Sequence, residues 1–124
     1  MANKHHAVKT KAANGVMCDS KKEARRYNEL MAMESAGIIS DLQHQVRFEL
    51  IPAVREPDRR GVRGGKIKGR TIERAVYYVA DFTYVKDGKR IVEDVKGAST
   101  KRLRDFVIKR KLLLWRYGIR VVMT

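Results

Sequence analysis

Residues 77–96 read YYVADFTYVKDGKRIVEDVK, and the expected central sheet is built around them. Two β-branched and aromatic runs, Tyr77 to Val85 and Arg90 to Lys96, flank Lys86-Asp87-Gly88-Lys89. Asp-Gly between such runs signals a hairpin, so an antiparallel pair is expected. Each strand carries a carboxylate inside its apolar run, Asp81 on the first and Asp94 on the second. A charge so placed must be paired or hold a cation. Alternate residues of a strand share a face. Asp94 and Lys96 therefore point one way, and Glu93 and Val95 the other. Asp81 is expected to share its face with Tyr77, Val79, Thr83 and Val85. Counted from the turn, Asp81 and Asp94 lie at comparable distances and become candidate neighbours. Two carboxylates a few ångströms apart repel unless a cation lies between them. Mg²⁺, a hard ion satisfied by one or two carboxylates with water and phosphate, is the expected cofactor, with Mn²⁺ as the alternative.

Upstream, Ser20 followed by Glu23 makes a capping box for a helix over Lys21 to Ser35, closed by Gly37. Helical phase puts Tyr27, Leu30 and Met31 inward, with Glu23 one turn before Tyr27 on the same face. A strand is expected over His44 to Ile51, where Val46, Phe48 and Leu50 alternate with Arg47 and Glu49, ending at Pro52. Downstream, a second helix is expected from Thr100 to Tyr117, with Ser99 as cap and Gly118 beyond its end. It carries two apolar stripes: Leu103, Phe106, Val107, Leu114 and Tyr117; and Ile108, Leu112 and Trp115. One stripe packs on the sheet. The other either packs under the first helix or the loop, or is an exposed patch of the kind that marks an interface; on the second reading a homodimer is expected. Ile119 to Met123 reads as a last strand. The order α-β-β-β-α-β with a mixed central sheet flanked by helices is an α/β fold.

The chain of 124 residues is one domain's length. Residues 1–14 are basic and without period, and are expected to form a flexible arm ahead of a single domain over 15–124. Residues 55–70 mix Gly61, Gly64, Gly65 and Gly69 with Arg59, Arg60, Arg63, Lys66, Lys68 and Arg70, and read as a structureless basic loop. No apolar run is long enough to span a bilayer, and the basic N-terminus lacks a signal peptide's apolar segment. Cys18 is the one cysteine, so no internal disulfide forms and a cytoplasmic setting is expected. His5, His6 and His44 have no zinc-ligand spacing and read as ordinary polar residues.

The net charge is +14, from 28 Lys and Arg against 14 Asp and Glu. Solubility needs far less, and a polyanion is the expected partner. Residues 1–30 carry +4, residues 55–74 +5 and residues 96–120 +8, while the remainder carries −3 and holds Asp81, Glu93 and Asp94. An acidic island therefore lies within a basic protein. Structural readings stay open for each part. Asp94 and Lys96 could be a same-face ion pair, Glu23 only the capping partner of Ser20, and Asp81 the partner of an arginine.

Taken together, a helix glutamate, a strand aspartate and then Asp-x-Lys before a basic helix resemble the PD-(D/E)XK, restriction-endonuclease-like superfamily. Closer still is the resemblance to small phage and prophage proteins grouped with Holliday-junction-resolvase-like endonucleases. A similar series occurs in the endonuclease subunit of Tn7-type transposases. The matching stretches are residues 15–30, 42–50, 78–84 and 87–97. The resemblance implies that Asp81, Asp94 and the Val95 backbone carbonyl hold the metal. It implies that Lys96 is the catalytic lysine and Glu23 the helix carboxylate. Gln45 falls where relatives often place a glutamine, and Ala80 stands where the superfamily's name has proline.

The function expected is Mg²⁺-dependent, structure-selective hydrolysis of DNA by a phage or prophage protein in its bacterial host. Branched or duplex DNA would meet Arg59, Arg60, Arg63, Lys66, Lys68 and Arg70 in the loop. It would also meet Lys101, Arg102 and Arg104 at the start of the second helix, whose N-terminus favours phosphate. The alternative is a non-catalytic nucleic-acid-binding protein on the same fold.

Overall fold

The structure is a computed structural model that describes residues 8–95 and 103–124. In chain order the elements are β1 (Thr10–Lys11), β2 (Met17–Cys18), α1 (Lys21–Ser35), β3 (Ser40–Ile51), β4 (Val54–Arg55), β5 (Arg59–Arg60), β6 (Lys66–Ile67), β7 (Thr71–Glu73), β8 (Val76–Lys86), β9 (Lys89–Asp94), α2 (Arg104–Tyr117) and β10 (Val121–Met123). The central sheet has four strands in the order β10-β9-β8-β3. β3 and β9 pair antiparallel with β8, and β10 pairs parallel with β9. The expected mixed α/β order is present, because the Asp87-Gly88 turn makes β8 and β9 a hairpin while α2 supplies the crossover to β10.

The two helices cover opposite faces of this sheet. Val92 packs with Phe106 and Leu113 of α2, together with Leu50, Tyr78 and Ala80. Its neighbour Ile91 packs on the other side, with Leu30 of α1, Ile39, Phe82 and Tyr84. α1 keeps its predicted bounds, and the Ser20 hydroxyl accepts from the Glu23 amide at 3.0 Å. Gly118 ends α2 in the left-handed conformation at φ 68°, where a Cβ is disfavoured.

Four expectations are corrected. Residues 10–14 belong to no arm: β1 pairs with β2, Ala12 is buried, and the Ala13 amide donates to Asn28 Oδ1 at 2.7 Å. Residues 55–70 are not structureless. β4 pairs with β7 and β5 with β6, so residues 54–73 fold back as one two-stranded ribbon whose tip lies at residues 61–65. Its strands were hidden because each is only two or three residues long and Pro57 and Gly69 interrupt them. α2 begins at Arg104, with Leu103 extended before it and no side-chain cap, while the expected start at Thr100 and cap at Ser99 lie outside the described residues. Its buried residues are Phe106 and Leu113, whereas Leu114, Trp115 and Ile108 face outward. Leu113, which belongs to neither apolar stripe, is fully buried against the sheet.

The fourth correction concerns strand parity. Tyr78, Ala80, Phe82 and Tyr84 would share one face in a regular strand. Instead Tyr78 and Ala80 join the α2 cluster, while Phe82 and Tyr84 join the α1 cluster. β8 changes face at Asp81. β3 does the same alongside it. His44 stacks on Tyr27 of α1, whereas Phe48 meets Tyr117 of α2. Between them Gln45 adopts φ 58°, rare for a side chain with a Cβ.

Candidate functional site

The switch of face places Asp81 between the two layers, and its surroundings follow. Asp94 keeps to the α2 side, where the Tyr78 hydroxyl donates to its Oδ2. The Asp81 amide donates to Asp94 Oδ1 at 3.2 Å, and the Val95 amide donates to Asp81 Oδ2 at 2.8 Å. Glu23 enters from the first turn of α1. The Asp81 carboxyl lies within hydrogen-bonding reach of both Glu23 and Asp94. Glu23, Asp81 and Asp94 are all buried, with exposures of 2%, 9% and 1%. Asp81 of β8 thus links the buried carboxylates of α1 and β9.

Glu23 is held on several sides. Its Oε2 accepts from the Asp19 amide at 2.6 Å, completing the capping box. Its Oε1 accepts from Gln45 Nε2 at 2.9 Å and lies 3.6 Å from His44 Nε2. The capping reading of Glu23 therefore holds, and its side chain is buried as well: one oxygen caps the helix and the other meets Gln45 and His44. The strained backbone at Gln45 aims its amide at Glu23, a case of strain held at a polar cluster.

Burial pushes the Asp81 carboxyl up to about 6, reinforced by neighbouring Glu23 and opposed by hydrogen bonding from Asp94 and the Val95 amide. Burial also raises the Tyr78 hydroxyl, with the Asp94 charge adding to the effect. The Cys18 thiol is raised to about 11, first by burial and then by Glu23. Burial lowers His44 and so favours its neutral ring.

Glu93 takes no part in this cluster. It is fully buried toward α1, where Arg26 Nε donates to it at 2.6 Å and the Tyr84 hydroxyl at 2.9 Å. Among the other expected residues, Lys96, Lys101 and Arg102 lie outside the described residues. Val95 meets the cluster through its amide. Arg59 and Arg60 on β5, Arg63 in the tip, Lys66 on β6, and Lys68 and Arg70 before β7 are all exposed along the ribbon. Lys66 pairs with Asp58 at 3.2 Å, and Arg60 donates to the Gly64 carbonyl at 3.0 Å. Arg104 is the exposed first residue of α2.

Sequence reasoning missed Cys18, His44 and Tyr78. Strand alternation could not find them, because each joins the cluster from a different element. The Cys18, Glu23 and His44 donor atoms lie within 4.8 Å of one another.

Among the described residues no helix is long and apolar enough to cross a membrane. The chain belongs to DUF1064, a family described as protein of unknown function, whose match covers residues 2–122. No curated protein and no solved structure is detectably similar to it.

Proposed function

We propose that this DUF1064 chain is a metal-dependent endonuclease of the PD-(D/E)XK type, hydrolysing phosphodiester bonds in DNA. The observation that carries the reading is the burial of Glu23, Asp81 and Asp94, with the Asp81 carboxyl between the other two and in reach of each. A buried carboxylate is costly without a cation, and the Asp81 pKa, raised first by burial and further by Glu23, reflects that cost. All-oxygen donors of this kind suit Mg²⁺ or Mn²⁺. Asp81 and Asp94 would hold the ion, with the Val95 carbonyl beside them. Bound there, a divalent ion would polarise phosphate and lower the pKa of water.

The chain's own residues do the rest. Tyr78 and the Asp81 amide fix the Asp94 oxygens, and the Val95 amide fixes Asp81. Gln45 and the Asp19 amide orient Glu23. Lys96, two residues after Asp94 in sequence, is assigned the ammonium that orients water or offsets phosphate charge. Support for a nucleic-acid substrate comes from the net charge of +14 and from the exposed cations along the ribbon. A two-stranded ribbon fits a DNA groove. Junction resolution fits best if the protein is a dimer, since paired cuts call for two-fold symmetry. The exposed Ile108, Leu114 and Trp115 of α2 are the surface offered for that contact.

The test incubates supercoiled, branched and single-stranded DNA with the protein and Mg²⁺, beside Asp81→Asn and Lys96→Ala. Cutting by the parent that both variants lose supports the proposal. Binding without cutting in Mg²⁺ and Mn²⁺ replaces it with the non-catalytic reading. Equal cutting by parent and variants places the chemistry elsewhere.

A further inference from the structure

We propose that Cys18, Glu23 and His44 form a second cation site, selective for a soft divalent ion such as Zn²⁺. The three residues come from β2, α1 and β3, and their donor atoms all lie within 4.8 Å of one another. A tetrahedral zinc site places neighbouring ligand atoms roughly 3.3–3.8 Å apart, given metal–ligand bonds of about 2.0–2.3 Å. His44 Nε2 and Glu23 Oε1 already lie at 3.6 Å. The thiol needs to close by about an ångström, within the reach of a small side-chain rotation.

The donors are built in. The His44 ring packs against both Tyr27 and Phe82, with centroids at 4.8 and 5.3 Å, in a three-ring cluster that holds its Nε2 3.6 Å from Glu23 Oε1. Burial keeps the ring in the neutral form that ligates metal. Cys18 is 1% exposed and its thiol lies against Glu23. On binding, the thiol proton passes to solvent and the thiolate bonds the metal. Asp19 and Asp81 add negative charge around the thiol. Thiolate with imidazole and one carboxylate selects zinc or cobalt over magnesium, which wants oxygen alone. The zinc site differs from the Asp81–Asp94 pair in its donors and shares only Glu23 with the carboxylate cluster.

Zinc binding stands without the hydrolase reading. Its consequence rests on that reading: drawing Glu23 toward zinc disturbs the carboxylate cluster, and micromolar Zn²⁺ inhibits Mg²⁺-dependent cutting.

The test titrates the full chain with Co²⁺, a zinc substitute whose thiolate bond absorbs in the near ultraviolet. The chain has one cysteine, so such a band has one source. The expected result is a one-to-one band, displaced by Zn²⁺ and unaffected by millimolar Mg²⁺. The band is lost in Cys18→Ser and retained in Asp81→Asn. In His44→Gln, which covers the case of a misfolded serine variant, Zn²⁺ affinity falls by at least about tenfold. No band in the folded parent overturns the site. So does unchanged Zn²⁺ affinity in folded His44→Gln. No DNA enters these measurements, so failure of the endonuclease reading leaves their outcome untouched.

Discussion

Asp81 is the residue on which the candidate site turns. It stands where β8 changes face, which lets one carboxyl meet both Glu23 from the α1 side and Asp94 from the α2 side. The cost appears in its proton affinity. Burial raises its pKa from the ordinary 3.8 to about 6. The folded protein therefore keeps a proton that the unfolded chain releases between those values. Metal-free stability falls as pH rises through that window, and the full penalty is present above it. The difference corresponds to about 3 kcal/mol. Asp81→Asn removes it. Denaturant unfolding in chelator should find the variant more stable than the parent at neutral pH by up to about 3 kcal/mol. The gap should shrink toward zero near the ordinary carboxylate pKa. Adding Mg²⁺ should stabilise the parent and leave the variant unmoved. A parent as stable as Asp81→Asn across the whole range contradicts this account of the buried carboxyl.

At the scale of elements, the basic ribbon carries its own prediction. Gly69 is buried against the opposite strand, and a Cβ there would meet the Glu56 carbonyl oxygen at 1.7 Å. Its amide donates to Asp58 Oδ1 at 2.7 Å, and its carbonyl accepts from Arg55 at 2.5 Å. Gly69→Ala forces these strands apart. Circular dichroism should report an intact α/β core, because the ribbon pairs only with itself. DNA affinity measured in Ca²⁺ should drop by at least about tenfold if the ribbon presents its cations as a unit. Unchanged affinity would remove the ribbon from the interface. What the sequence disclosed about elements follows from this contrast. α1 was legible because Ser20, Glu23 and Gly37 mark its ends locally. The β8–β9 hairpin was legible from Asp87-Gly88 and two β-branched runs. The ribbon was not, because strands of two or three residues leave no alternation to read. The change of face at Asp81 was also invisible, since neither it nor the positive φ of Gln45 beside it on β3 leaves a mark in residue alternation. Cys18 and His44 were passed over because their meeting with Glu23 exists only once β2, α1 and β3 are packed.

For the whole molecule, charge sets the scale. A net +14 spread over the ribbon, α2 and the N-terminal third surrounds one buried acidic cluster. Backbone phosphate contacts should then dominate affinity. If about six phosphates are neutralised, binding weakens on the order of a thousandfold between about 50 and 200 mM salt. A shallow dependence in a filter-binding or anisotropy titration argues against the ribbon and α2 acting together on a phosphate backbone. Whether Glu23, Asp81 and Asp94 form a hydrolytic metal site is decided by single-turnover cutting of an end-labelled four-way junction. In Mg²⁺ the parent should cut, and Asp81→Asn should lose at least about a hundredfold in rate while binding the junction in Ca²⁺ as the parent does. Equal rates for parent and variant, or a junction bound but left whole in both Mg²⁺ and Mn²⁺, would contradict it.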